Sequence, residues 1–308
     1  MNKIKVIKGM KFLSLCLFLC IMFSCTEKQA YNKKAPHVVF IGMDGWGAYS
    51  VSKADMPNVK RLMQEGSYTL SKRTVLPSSS AVNWASMFMG AGPELHGFTT
   101  WGAQKPELPS KELSHYGLFP SVWGLVRDAY PNMEIGYIYE WDGMKYLAEM
   151  DAMSWNENPA NSEKTAEAAA KYIKEKQPDF VGVIFAEPDY TGHGAGHDTP
   201  EYYAQLKTLD GYIGNIIQAV DDAGMLEETI FVITSDHGGI NKGHGGITME
   251  EMETPFIISG KGIKKNYVIE RSMMQFDVAS VLLSLFGIEE QPSVWIGRPL
   301  DEIFSEFK

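Results

Sequence analysis

Short apolar runs alternate with amphipathic segments along most of the chain. Residues 37–43 (HVVFIGM), 180–186 (FVGVIFA) and 229–234 (TIFVIT) are apolar and bounded by polar residues, which predicts buried strands. Residues 162–176, with alanines through their middle, and residues 201–223, which are amphipathic, predict helices. The alternation predicts an α/β domain with one mostly parallel central sheet and helices on both faces.

Weaker patterns complete this domain. Ser162 is the predicted N-cap of the helix that begins there, and residues 98–160 carry the weakest pattern because prolines and aromatic residues are frequent in them. Neither a repeat nor a linker interrupts the body, so we expect one domain over residues 36–308. Further strands are predicted over residues 69–76, 134–139 and 256–259, and further helices over residues 56–66, 80–89, 122–129 and 275–286.

The first 25 residues differ from the rest. Four lysines precede an apolar run over residues 12–23, which ends at Ser24 and Cys25. This is the pattern of a secretory signal, and the run is too short for a membrane span of about 20 residues. Cys25 resembles the cysteine of a bacterial lipobox, although Met22 stands where that pattern usually has Leu. We therefore expect lipid attachment at Cys25 ahead of simple secretion or an uncleaved anchor, with residues 26–35 as a polar tether.

Cysteine usage and charge exclude several functions. All three cysteines (Cys16, Cys20 and Cys25) lie in the predicted signal, so the body has neither a disulfide nor a thiol nucleophile. Loss of residues 1–25 removes four lysines and no acids, which takes the net charge from −10 to −14. Such a surface disfavours binding of nucleic acid through its phosphates. A small phosphate substrate stays compatible, because bound divalent cations invert the local field.

Acidic residues follow three of the predicted strands. Asp44, Asp189 and Asp236 come at or just after the ends of the three apolar runs, and parallel strands end at one edge of the sheet. His193, His237 and His244 lie close to them in sequence, and six nitrogen and oxygen ligands suit two divalent cations such as zinc. Each piece alone has a plainer interpretation as a turn, a helix cap or a solvated loop histidine.

A candidate nucleophile precedes the helix that runs to Met89. Ser78, Ser79 and Ser80 lie at its amino end, where one of them could simply cap the helix. Alternatively, one of them lies at the positive end of the helix dipole and next to a metal, which would favour its alkoxide. The residues alone do not choose among the three serines.

Seven short motifs occur in order along the chain and together resemble the alkaline phosphatase superfamily, within it the type I phosphodiesterase/nucleotide pyrophosphatase branch. The resemblance implies the alkaline phosphatase-like fold over essentially the whole body. The motifs are Met43-Asp44-Gly45, Met56-Pro57-Asn58 with Leu62 and Gly66, Ser80-Ala81-Val82-Asn83, Gly90 with Pro93-Glu94-Leu95-His96-Gly97, Glu187-Pro188-Asp189-Tyr190-Thr191-Gly192-His193, Ser235-Asp236-His237-Gly238 and Gly243-His244-Gly245.

The resemblance also implies roles for single residues. In that branch the nucleophile stands three residues before an Asn, which selects Ser80 because Asn83 follows it. The implied ligands of one metal are Asp189, His193 and His244; those of the other are Asp44, Asp236 and His237, with Ser80 between the two metals.

One family residue is missing. The branch commonly carries an Asn that contacts a phosphoryl oxygen, whereas this region reads Phe98-Thr99-Thr100-Trp101 here. We expect Asn83, or backbone amides after Ser80, to make that contact instead. Five aromatic residues lie in the segment where this fold varies: Trp101, Trp123, Tyr139, Trp141 and Trp155. We expect most of them to pack in the core, and the alternative for one or two is stacking on a base or an aromatic leaving group.

The implied activity is hydrolysis of a phosphodiester or nucleotide pyrophosphate through a phosphoserine, with two zinc-type ions and a small phosphate ester as substrate. A phosphomonoesterase, phosphonate hydrolase or sulfate-ester hydrolase on the same scaffold is the first alternative. The arginine that sulfatases carry after their nucleophile is absent from residues 79–83 (SSAVN). A non-catalytic, metal-binding lipoprotein is the second alternative. We expect an exported protein, anchored on a bacterial membrane facing the periplasm or cell surface, or secreted.

Overall fold

The computed structural model describes residues 37–305. The predicted signal, its lipobox-like Cys25 and the predicted tether lie outside the described residues. Within residues 37–305, every helix is too short or too polar to cross a membrane.

Eight strands within the described residues form one sheet, in the order β4-β3-β5-β1-β6-β7-β2-β8. All neighbouring strands are parallel except that β7 runs antiparallel to both β6 and β2. The predicted mostly parallel sheet is therefore confirmed. The strands are β1 (His37–Asp44), β2 (Gly66–Arg73), β3 (Ile135–Tyr139), β4 (Trp155–Glu157), β5 (Phe180–Pro188), β6 (Thr229–Thr234), β7 (Glu253–Gly260) and β8 (Tyr267–Val268).

Helices cover both faces of this sheet, as the sequence predicts. Along β1, Val38 and Phe40 join the apolar cluster beneath α2, α4 and α9, whereas Val39 and Ile41 join the cluster beneath α1, α5 and α7. A strand covered on both faces reads as a continuous apolar run, which is what residues 37–43 show. The helices are α1 (Pro57–Glu65), α2 (Ser80–Met89), α3 (Pro93–His96), α4 (Val122–Ala129), α5 (Ser162–Lys176), α6 (Asp189–Ala195), α7 (Pro200–Asp222), α8 (Met249–Met252) and α9 (Asp277–Leu285).

Two predicted boundaries are wrong. The strand expected over residues 69–76 lies at Gly66–Arg73, because β2 pairs with β7 from Gly66 onward and leaves the sheet after Arg73. The apolar Val75 made the pattern continue too far; in the structure it belongs to the loop that leads to Ser80. The N-cap of α5 is Asn161 rather than Ser162, because the Asn161 side chain accepts a hydrogen bond from the amide of Lys164.

Candidate active site

Three neighbouring strands deliver the predicted acids to one edge of the sheet. Asp44 is the last residue of β1, Asp189 follows β5 as the first residue of α6, and Asp236 follows β6 after one residue. All three carboxylates are buried, with exposed fractions of 4%, 6% and 0%. Gly45 permits this close approach, because its φ of +73° suits glycine and a Cβ there would lie 2.7 Å from the Cβ of Asp189.

The three predicted histidines face these carboxylates in the same way. In each of them Nδ1–H donates to a backbone carbonyl: His193 to Lys242 O at 2.9 Å, His237 to Gly238 O at 2.7 Å and His244 to Ser78 O at 3.1 Å. The second ring nitrogen, Nε2, is then left to point at the acids. Fixing Nδ1 in this way is how proteins orient histidines that bind metals.

The Nε2 atoms divide the six residues into two groups, which we call the outer group and the inner group. In the outer group, Asp189 lies 3.2 Å from His193 and 3.9 Å from His244. In the inner group, Nε2 of His237 lies 3.3 Å from Asp44 Oδ1 and 3.3 Å from Asp236 Oδ2. The groups touch, since the rings of His237 and His244 stack with centroids 3.7 Å apart.

Two sets of ligand atoms fit divalent cations. The candidate ligand atoms of the outer group, Asp189, His193 and His244, all lie within 4.8 Å of one another. Around His237 the set that meets the same distance is Asp44, Asp189 and His237, so Asp189 belongs to both sets, while Asp236 adjoins the second one through its 3.3 Å contact with His237. Asp189 Oδ1 and Asp236 Oδ2 are buried and have no hydrogen-bond partner within the described residues. Because a buried carboxylate oxygen without a partner is costly, these two atoms call for a cation. Carboxylate oxygens and imidazole nitrogens without a thiolate are a ligand set that zinc accepts.

The pKa values of residues in both groups also indicate a site that attracts positive charge. Burial and the neighbouring Asp44 raise the pKa of Asp236 well above its usual range. Burial would lower the pKa of His237, but the carboxylates of Asp236 and Asp44 outweigh it and raise that pKa to about 10. In the outer group, the hydrogen bond to Asp189 raises the pKa of His193 to about 9. Buried carboxylates and histidines that raise one another's pKa in this way bind protons readily, and a cation would occupy the same negative potential.

Ser80 lies beside the inner group at the amino end of α2. Its Oγ is 3.1 Å from Nε2 of His237 and 3.5 Å from Oδ1 of Asp44. Ser80 is the first residue of the helix, so the positive end of the helix dipole favours negative charge on its oxygen. The other two serines have different surroundings. Ser78 Oγ donates to Gly246 O at 2.8 Å and accepts from Gly245 N at 3.1 Å, which holds the loop of His244 against the serines.

A cavity of about 630 Å³ opens above this site. Ser80, Asp44 and the whole outer group line it, and its wall is aromatic, formed by Trp101, Trp141 and Tyr190. Trp101 is 68% exposed and Tyr190 is 52% exposed, which is unusual for large aromatic side chains. None of the described residues that line the cavity is Lys or Arg.

The structure corrects the expectation for Asn83. Its side chain is fully buried under the loop and does not reach the cavity. Oδ1 accepts from Val75 N at 2.8 Å, while Nδ2 donates to the carbonyls of Pro77 and Ser79 at 3.0 and 3.1 Å. Its polar atoms are thus used to shape the loop before Ser80. The amide of Ala81 is also engaged, because it donates to Trp101 O at 3.0 Å.

Sequence reasoning missed two residues that contact the site from inside the protein. Trp84 Nε1 donates to Asp44 Oδ2 at 3.0 Å, and Lys72 Nζ donates to Ser235 O at 2.9 Å. Both side chains are fully buried. Trp84 follows Ser80 by four residues, one helical turn, and that spacing could have indicated it. Lys72 gave no signal, because an isolated lysine in a strand pattern is normally read as exposed.

His197 lies against Asp189 and does not line the cavity. Its Nε2 is 3.8 Å from Asp189 Oδ1, and neither ring nitrogen has a hydrogen-bond partner among residues 37–305. The ring packs against Gly192 and Gly239, where any side chain would collide with it. Burial lowers the pKa of His197 to about 4, so the ring is neutral at neutral pH.

Comparison with known proteins places this geometry in context. A family model described as type I phosphodiesterase / nucleotide pyrophosphatase matches residues 38–254. Venom phosphodiesterase 2 of Crotalus adamanteus is 25% identical over 233 residues, which cover 71% of this chain and 28% of that protein. The chain therefore spans little more than a quarter of that curated relative.

Solved structures share the fold. Murine ectonucleotide pyrophosphatase / phosphodiesterase 5, in an inactive form in complex with AMP, has a TM-score of 0.71 at 16% identity and covers 87% of this chain and 100% of its own. A 2-O GAG sulfatase has a TM-score of 0.69 at 16% identity and covers 86% of this chain and 73% of its own. At these identities the likeness concerns the fold alone.

Proposed function

The chain belongs to the type I phosphodiesterase / nucleotide pyrophosphatase family, and we propose that it is a metal-dependent hydrolase of phosphoric diesters or nucleotide pyrophosphates. The observation that carries this proposal is the position of Ser80. Its Oγ contacts His237 and Asp44, begins a helix and lines the cavity beside the outer group. The hydroxyl of Ser80 thus contacts two candidate metal ligands and also faces the cavity, which is the position that a nucleophile requires.

The proposed reaction has two displacements at phosphorus. Ser80 Oγ forms a bond to phosphorus, the bond from phosphorus to the leaving oxygen breaks, and the serine proton passes to solvent. Water then attacks from the side that the leaving group has vacated, and the bond between Ser80 Oγ and phosphorus breaks. The dipole of α2 stabilises negative charge on Oγ in both steps.

The two ligand groups would hold one cation each. We assign one to Asp189, His193 and His244 and the other to Asp44, Asp236 and His237, and we expect zinc because the ligands are carboxylates and imidazoles. Bound divalent cations would lower the pKa of the Ser80 hydroxyl and neutralise the oxygens of the transition state. The buried oxygens of Asp189 and Asp236 that accept no hydrogen bond from any described residue support this assignment.

The cavity supports a singly charged diester in preference to a monoester. A monoester dianion carries an extra charge that needs a cationic side chain, and the described lining contains neither Lys nor Arg. The aromatic wall of Trp101, Trp141 and Tyr190 instead suits an uncharged, apolar substituent on the phosphorus. A structural relative in complex with AMP is compatible with a nucleoside as that substituent.

A panel of chromogenic esters tests the proposal. Bis-p-nitrophenyl phosphate should be hydrolysed faster than p-nitrophenyl phosphate, phenylphosphonate esters or p-nitrophenyl sulfate, and a chelator should abolish the activity. Monoester or sulfate turnover above diester turnover would reject the diester proposal in favour of another ester on this scaffold. Two bound metal ions without turnover of any ester would favour a metal-binding lipoprotein.

We further propose that the protein is exported and anchored by a lipid on Cys25. The support is the sequence of residues 1–25, where lysines, an apolar run and Ser24-Cys25 follow one another. Mass spectrometry of the membrane-bound protein should find acyl groups on an N-terminal Cys25. The Cys25→Ala variant should leave the membrane fraction; if it stays there, the anchor is elsewhere.

A further inference from the structure

Lys72 is a buried amine that the proposed reaction does not use. It lies on β2 with an exposed fraction of 0%. Its Nζ donates to Ser235 O at 2.9 Å and to the side-chain oxygen of Gln275, and both of these partners are uncharged. Burial of an amine in such surroundings is unfavourable, so a compensating role in the structure or the site is expected.

Gln275 completes the arrangement from the segment before α9. It is also fully buried, and its Nε2 donates to Asp236 O at 3.0 Å and to Ser235 O at 3.3 Å. Two side chains from separate parts of the chain thus hold two consecutive carbonyls. These carbonyls belong to the short segment that follows β6 and carries Asp236 and His237.

The same segment is held from its other side by Ser235. The Ser235 hydroxyl donates to His237 O at 2.8 Å and accepts from the amide of Trp46 at 2.9 Å. Residues 235–237 therefore have several fixed hydrogen bonds, and the positions of the Asp236 and His237 side chains depend on them. Neither Lys72 nor Gln275 touches a side chain of the six proposed ligands directly.

We propose that Lys72 and Gln275 are positioning residues for the inner group, because together they fix the backbone that presents Asp236 and His237 to a cation. We call this pair the Lys72–Gln275 clamp. The inference rests on the proposed two-cation function, and it goes further by assigning a task to residues outside the ligand set.

The clamp is specific to one group, which makes it testable. The outer group is oriented by other contacts: the carbonyl of Lys242 fixes His193 and the carbonyl of Ser78 fixes His244. Loss of the clamp should therefore lower the affinity for one of the two cations and leave the affinity for the other unchanged. General destabilisation of the fold would lower both affinities.

The experiment is a titration of metal-free protein with Zn²⁺ or Co²⁺ alone, read by equilibrium dialysis and by Co²⁺ absorption. Lys72→Met keeps the length of the side chain and removes the amine, and Gln275→Leu removes the amide. For both variants we expect one metal equivalent to bind about 10- to 100-fold more weakly, the usual effect of losing a group that orients metal ligands. The other equivalent should stay within about threefold of the wild type.

Asp210→Asn is the matched control. Asp210 is another buried polar link between two elements, accepting from Val59 N at 2.9 Å and from Asn58 N at 3.1 Å, and it belongs to neither group. The Asp210→Asn variant should have a lower free energy of unfolding, without a selective loss of affinity for one metal equivalent. If Lys72→Met does not fold, Gln275→Leu tests the same clamp with the lysine retained.

The outcomes of the titration distinguish failure of the clamp from failure of the two-cation function. Equal weakening of both equivalents, or no change in either, in the folded variants would overturn the clamp while leaving the two-cation function intact. Wild-type protein that binds fewer than two equivalents would overturn the two-cation function itself, and this is seen before any variant is made.

Discussion

The inner and outer groups are built from the same residue types but differ in their access to solvent. Asp236 and His237 of the inner group are fully buried, whereas the side chain of His193 in the outer group is 46% exposed. The inner ligands come directly from strand ends, and the outer histidines come from a short helix and a glycine-rich loop. A strand end is held by the sheet ladder, so the inner group is the more rigid of the two.

The difference suggests that the two groups have different roles in the proposed reaction. Ser80 contacts His237 and Asp44, which are inner residues, so the inner group is placed to prepare the nucleophile. Asp189, His193 and His244 line the cavity, so the outer group is placed to meet the substrate and the water. We expect changes in the inner group to affect stability and activity together, and changes in the outer group to affect activity alone.

The strongest test of this comparison removes Ser80, the proposed nucleophile beside the inner group. Ser80→Ala should lower kcat for the diester by at least about 10³-fold, because the covalent route is lost. Metal content, measured by plasma mass spectrometry, should stay near two ions per chain, since the six ligands are intact. Retained turnover would show that Ser80 is not the nucleophile.

A second test contrasts one histidine from each group. His237→Ala should lose one metal ion and lower the free energy of unfolding by about 3 kcal/mol, because it leaves buried carboxylates without a partner. His193→Ala should also lose metal affinity but change the free energy of unfolding by less than about 1 kcal/mol, since its ring is half exposed.

The measurement for this pair is urea unfolding of the metal-free proteins in the presence of a chelator, with bound zinc counted in separate samples, because bound metal would itself add to stability. Similar losses of stability in the two variants would remove the distinction between a rigid inner group and an accessible outer group.

A third test uses a histidine outside both groups to separate the effect of burying a histidine on stability from the effect of binding a metal. His96 is fully buried; its Nε2 pairs with Ser86 Oγ at 2.9 Å and its Nδ1 accepts from Phe98 N at 3.1 Å. Burial lowers the pKa of His96 to about 3, below its ordinary value of 6.5. The unfolded chain therefore binds a proton that the folded chain does not, and stability falls as pH drops below 6.5.

The expected loss from His96 is about 1 to 2 kcal/mol between pH 6.5 and 5, a slope approaching 1.4 kcal/mol per pH unit. The contribution of His96 is isolated by urea unfolding of the wild type and of His96→Asn at several pH values. Acid also releases metals, but it does so from both proteins, so that effect cancels in the comparison. Parallel pH profiles of the two proteins would contradict the assignment of the proton to His96.

The smallest expected effect concerns the exposed loop that supports the outer group. The Lys242 side chain donates to Gly194 O, whereas its backbone carbonyl holds His193. Lys242→Ala keeps the carbonyl, so kcat/KM for the diester should change by no more than about twofold. A tenfold loss would mean that the ammonium group contacts the substrate and that the outer group extends to it.

Much of the fold followed from the sequence for a simple physical reason. Strands β1, β5 and β6 are covered by helices on both faces, so each is a continuous apolar run that ends in a polar ligand. The same rule brought Asp44, Asp189 and Asp236 together, because parallel strands end at one edge. The family resemblance then supplied the choice of Ser80 among three adjacent serines.

The remaining features depend on loop conformation or on partners that are distant in sequence. Asn83 looked available because its partners, Val75 and Pro77, lie eight and six residues before it in a loop whose conformation no periodic pattern predicts. Lys72 finds its partners 163 and 203 residues away, at Ser235 and Gln275, and no local pattern encodes such contacts. The aromatic wall could not be assigned either, since Trp101 and Trp123 have similar sequence surroundings, yet one is exposed and the other fully buried.

The adjacency of β5, β1 and β6 has a consequence for how this site can change over evolution. Neighbouring strands lie about 4.8 Å apart, a spacing set by backbone hydrogen bonds that no side-chain substitution alters. The spacing of the three strand ends that lead into these carboxylates is thus set by the sheet itself. The wall of Trp101 and Trp141 lies on segments outside the sheet and is free to vary. A new substrate therefore requires new loops, while the chemistry at the strand ends persists unchanged.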